Sequence, residues 1–61
     1  MDKETALGMA RTDAREARLM LETAETALEQ GDVAEATRYL GEAAHWLAAT
    51  QVWLQQAEAT C

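Results

Sequence analysis

The chain has 61 residues and a formal net charge of −6, from five basic and eleven acidic side chains, with one His, one Cys and no Pro, Phe or Ser. A chain of this length makes a single domain, 1–61, and buries only about 60% of the surface its unfolded form exposes, so its folding balance is close to zero without a staple. A lone Cys cannot close an internal disulfide, and one His with one Cys is a poor metal set. No metal or cofactor is therefore expected, and association is left as the stabiliser.

Ala dominates the apolar residues, and Ala is the best helix former. Few residues are β-branched, which argues against strands. The opening Met1-Asp2-Lys3-Glu4 has neither the basic start nor the apolar stretch of a secretory leader. The longest charge-free run, Ala43–Ala57, is shorter than the roughly 20 residues needed to cross a bilayer. A soluble, cytoplasmic protein with no membrane role is expected, and a single thiol suits a reducing compartment.

In chain order, Asp2 is placed to cap a first helix over about Lys3–Glu29. Leu7, Ala14, Leu21 and Leu28 fall seven apart along it, with Ala10, Ala17 and Ala24 three residues after the first three. Ala6, Met20 and Ala27 form a flank that Asp13 interrupts. Arg11, Arg15 and Arg18 line one side at spacings of four and three, and make the only basic patch. Such a patch suits phosphate, but it also reads as a solvated face paired with acids such as Glu22. No aromatic lies among these arginines to stack on a base.

Thr5-Ala6-Leu7-Gly8-Met9-Ala10-Arg11 resembles the start of the first helix in the Rop family of plasmid RNA-binding proteins. The resemblance covers seven residues and implies a dimeric helical hairpin that reads RNA with an exposed face of that helix. Gly8 and Thr12 stand where the family uses Asn and Phe, and the helix has no Lys beyond Lys3. The likeness thus bears on architecture, and nucleic-acid binding is expected to be weak or absent.

Gln30-Gly31-Asp32 is the one break in the chain. Gly31 suits the left-handed residue that closes a helix, and Asp32-Val33-Ala34-Glu35 has the spacing of a capping box. A stop beside a start predicts a turn at 30–32 and a second helix over about Val33–Ala59. Leu28-Glu29-Gln30-Gly31-Asp32, followed by Glu35-Ala36 and Tyr39, is similar to the turn inside a tetratricopeptide repeat. One such unit cannot stand alone, so the likeness is read as a common helix–helix turn. Glu22, Glu25, Glu29, Asp32 and Glu35 crowd this tip with negative charge.

In the second helix Val33, Leu40, Leu47, Leu54 and Cys61 fall seven apart, with Ala36, Ala43, Thr50 and Ala57 between them. Tyr39, Trp46 and Trp53 run one residue before the Leu series. The expectation is that the two Leu series close the hairpin, with Leu28 near Val33, Leu21 near Leu40, Ala14 near Leu47 and Leu7 near Leu54. The aromatic stripe would then be left outside, to be covered by a second copy in a four-helix bundle or by a different protein.

The expected class is all-α, a two-helix antiparallel hairpin that dimerises. The expected function is a small protein-interaction module, a regulator or inhibitor, with its interface at Tyr39, Trp46, Trp53, Met20, Leu47 and Leu54. The alternatives are a nucleic-acid-associated regulator using Arg11, Arg15 and Arg18, and a purely structural assembly subunit. An enzyme is not expected: His45 has no Ser to serve as nucleophile, and Cys61 sits at a chain end.

Overall fold

The computed structural model describes residues 2–59, which form two helices, α1 (Lys3–Glu29) and α2 (Val33–Ala59), packed along their length as an antiparallel hairpin. Cys61 lies outside the described residues. Asp2 caps α1: its Oδ1 accepts the Thr5 backbone N–H at 2.7 Å. That bond holds the Asp2 carboxyl below its usual value of 3.8. Its contribution is present above that pH and fades as pH falls through the lowered value.

The turn satisfies the carbonyls at the end of α1. Gly31 adopts φ 74°, the Gly31 N–H donates to the Leu28 carbonyl at 3.0 Å, and the Asp32 N–H donates to the Ala27 carbonyl at 2.8 Å. These are the two bonds of a Schellman ending. Asp32 then caps α2, its Oδ1 accepting the Glu35 N–H at 3.1 Å. The capping box expected here is only half built. The Asp32 N–H is already engaged by Ala27, and the Glu35 carboxylate turns to Arg38 at 3.0 Å.

The seam between the helices corrects the pairing expected from the Leu series. The buried apolar residues are all alanines: Ala6, Ala10, Ala17, Ala24 and Ala27 from α1, and Ala36, Ala43 and Ala57 from α2. Asp13 is buried with them, while Met20, Tyr39, Trp46, Thr50 and Trp53 are half-buried along the same lines. Leu7, Leu21, Leu28, Val33, Leu40, Leu47 and Leu54 lie outside, between 40% and 73% exposed. Alanines on both helices admit close approach, and a close pair of helices has no room for leucine between the axes. The aromatics can lie against the alanine stripe of the facing helix, large on small. The Tyr39–Trp46–Trp53 stripe and Met20 therefore belong to the seam, and the leucines take the free side.

A polar side-chain contact crosses the seam. Trp53 Nε1 donates to Asp13 Oδ2 at 2.9 Å. By antiparallel register Trp46 is then level with Met20, and Tyr39 with Ala27. Thr50 also fits a half-buried position because its hydroxyl donates to the Trp46 carbonyl at 2.8 Å. No buried side-chain polar atom among the described residues lacks a partner.

Two glycine substitutions separate turn geometry from helix propensity. Gly31→Ala forces a Cβ into the left-handed region and should lower stability by about 1–2 kcal/mol in thermal or urea unfolding. Gly41→Ala meets no atom within 4 Å on a helical residue, and should raise stability by about 1 kcal/mol in the same measurement.

Candidate interaction face

In antiparallel packing, residues that follow the seam positions by the same step on each helix fall on the same side of the pair. Leu7, Ala14, Leu21 and Leu28 occupy that place on α1, and Val33, Leu40, Leu47 and Leu54 occupy it on α2. The two series meet across the crease. Leu21, Ala24 and Leu28 of α1 and Leu40 of α2 line a shallow groove of about 360 Å³, rimmed by Arg18, Glu22 and Glu25. The opposite side of the hairpin carries Glu16, Thr23, Glu35, Glu42 and Gln56, interspersed with the exposed Met9, Leu19 and Val52. Across its width the hairpin holds aromatics and alanines within and a continuous leucine row on one side, with acids, amides and separate apolar side chains on the other.

Of the sequence-expected interface residues, Leu47 and Leu54 lie on this free side, and Tyr39, Trp46, Trp53 and Met20 do not. Leu7, Leu21, Leu28 and Leu40 complete the face, having been assigned to the seam instead. A signal for the true arrangement existed in Asp13 and Trp53. An indole N–H placed inside a fold needs an acceptor, and Asp13 is the seam residue that supplies one.

Arg11, Arg15 and Arg18 are exposed on the outer flank of α1. With Ala14 they line a second shallow hollow of about 370 Å³. Ala14 interrupts the Leu series, which opens the hollow. Arg18 approaches Glu22 at 3.8 Å, between side chains both well exposed. A pair of that kind contributes at most about 1 kcal/mol and leaves the arginine available. The Glu22, Glu25 and Glu29 carboxylates continue the same flank toward the turn, so this flank of α1 is basic along its first part and acidic along its last.

The remaining polar groups of α2 pair with near neighbours. His45 is exposed and meets the Trp46 ring edge-on, with centroids 5.5 Å apart. Arg38 binds Glu35, stacks 4.5 Å from the Tyr39 ring centre, and donates to the Tyr39 hydroxyl at 3.0 Å. Among the described residues there is no group of three His, Cys, Asp or Glu able to hold a metal, and no helix is long and apolar enough to cross a membrane.

Comparison with protein-family models, curated proteins and solved structures gives no match. The seven-residue likeness between Thr5 and Arg11 and the Rop family therefore stands by itself.

The Asp13–Trp53 contact is open to a double-mutant cycle. Trp53→Phe keeps the ring and removes the donor; Asp13→Asn removes the charge. Unfolding of the two single variants and the double variant should give a coupling energy of about 1.5–3 kcal/mol, the range for a hydrogen bond to a charged group.

Proposed function

We propose that this protein is a small, non-enzymatic protein-interaction module that acts as a regulator or inhibitor, working as a dimeric helical hairpin through its leucine face. The single observation behind this reading is the unpartnered row of seven large aliphatic side chains on one side of a hairpin whose own core is alanine. Fully burying a Leu or Val is worth about 1.5–3 kcal/mol, so covering seven half-exposed ones recovers about 5–10 kcal/mol. That is comparable to the whole stability of an ordinary domain, about 5–15 kcal/mol. A face of this size and continuity marks an association surface. A homodimeric four-helix bundle is the simplest cover, and a different protein is the other.

The second reading, a nucleic-acid-associated regulator, draws on the hollow between Arg11, Arg15 and Arg18. It ranks lower because three arginines release few counterions and the chain as a whole carries −6.

The test is substitution within the face. Leu40→Gln with Leu47→Gln removes apolar surface that the hairpin itself covers only partly. Light scattering of the native protein at tens of micromolar should report twice the chain mass, and the variant should report the chain mass. Because association stabilises folding by mass action, the variant should also melt at lower temperature and lose the concentration dependence of its melting. A variant with unchanged mass and unchanged melting would sink the reading.

A further inference from the structure

Granting the leucine face as an association surface, we infer that its occupant is a second copy of this chain, seated antiparallel so that α1 lies over α1 and α2 over α2, selected by charge along α1. The Cα extents of 46 and 13 Å give each hairpin a projected face of about 600 Å², so two copies bury on the order of 1,200 Å², the lower bound of stable specific interfaces. Side chains widen the face beyond that figure.

Two hairpins stacked face to face with two-fold symmetry have two arrangements. With the axis along the helices, α1 of one copy lies over α2 of the other and both turns sit at the same end. The Glu22, Glu25 and Glu29 half of α1 then lies level with the start of the other α2, whose flank there offers Ala34, Thr37, Gly41 and Ala44 and no cation, and both acidic turns gather at one end. With the axis across the helices, α1 lies over α1 in the opposite direction and the turns sit at opposite ends.

The second arrangement matches the charges. A two-fold crossing α1 at residue 20 brings Arg11 level with Glu29 of the other copy, Arg15 with Glu25, and Arg18 with Glu22. Symmetry repeats each pair, so six opposite-charge pairs flank the apolar contact. All six side chains are exposed in the hairpin, beside or one step beyond the leucine row. Meanwhile α2 lies over α2 around residue 46, within the stretch 43–57 that has no Asp, Glu, Lys or Arg. Each surface pair alone contributes little. The discrimination lies in the difference between six favourable contacts and an arrangement that forgoes them and gathers the two acidic turns, Glu29 and Asp32 of each copy, at one end.

The experiment mixes the native chain with a charge-swapped one of equal net charge: Arg11→Glu, Arg15→Glu, Arg18→Glu, Glu22→Lys, Glu25→Lys and Glu29→Lys. Each alone should dimerise. Mixed at low ionic strength and read by native mass spectrometry, the two chains should sort into homodimers. The mixed dimer should fall below about a tenth of the total, because α1-over-α1 contact in it sets Arg against Lys and Glu against Glu. Sorting should disappear near 1 M salt, where the screening length is about 3 Å. A mixed dimer at the statistical half would overturn the α1-over-α1 arrangement and leave the leucine face standing. A native chain that stays monomeric at all concentrations would overturn the second copy as occupant, and the Leu40→Gln, Leu47→Gln comparison then judges the face itself. Should the six-fold variant fail to fold, the pair Arg15→Glu with Glu25→Lys gives the same comparison, with weaker sorting as the supporting result and none as the refuting one.

Discussion

The alanine seam is the constraint from which the other features follow. Ala6, Ala10, Ala17, Ala24 and Ala27 face Ala36, Ala43 and Ala57, and the one larger buried side chain among the described residues is Asp13. Small side chains let two helices approach closely, which is favourable for packing but buries little area per residue. The half-buried aromatics of α2 partly compensate, with Trp53 bonded to Asp13, Trp46 level with Met20 and Tyr39 level with Ala27. The leucines are excluded by geometry and not by chemistry, since the space between the axes is already closed. A hairpin built this way holds its best hydrophobic material outside its own core. The surface whose burial would add most to the chain's stability is for that reason the surface it leaves open.

The alanines of the seam have a weakness, because alanine against alanine specifies no register. Sliding one helix by a heptad costs little packing. The Asp13–Trp53 hydrogen bond favours the observed alignment, in which the Trp53 indole N–H meets a carboxylate. Elsewhere along the seam either group would be left buried without a partner, at roughly 1–3 kcal/mol or more. A single buried polar residue that sets register in a coiled coil works on the same principle. The Schellman turn adds a second restraint at the other end, where Gly31 and Asp32 settle the orphan carbonyls of α1.

How far these features were legible in the sequence divides along a physical line. Caps, turn and helix limits are local: Asp2, Gly31 and Asp32 act within four residues of themselves, so their chemistry can be read from the chain. The seam is a choice between two adjacent heptad series on each helix, one step of rotation apart. Both series are apolar, and ranking by hydrophobicity favours leucine. The structure instead ranks by fit, because two helices without further layers gain most from close approach. Asp13 looked like an interruption of a flank, whereas it is a member of the seam with a partner forty residues away. The half-built capping box has a similar cause: spacing identified Glu35, but spacing does not say that the Schellman bond has already taken the Asp32 N–H or that Arg38 competes for the carboxylate.

The basic half of α1 cannot serve two partners. If Arg11, Arg15 and Arg18 face carboxylates of a second copy, their charge is neutralised and little is left to attract phosphate. If they bind phosphate, the same pairing is lost, and the acids at Glu22, Glu25 and Glu29 face each other's surroundings uncompensated. Phosphate and self-association would then be linked with opposite sign, so that each weakens the other by the same factor at equilibrium. The leucine face does not share this conflict, since its contribution depends on area and not on charge. In the proposed association the two parts of the surface would divide the work: the leucines would set how strongly a partner is held, and the charge order along α1 which partner and in which direction.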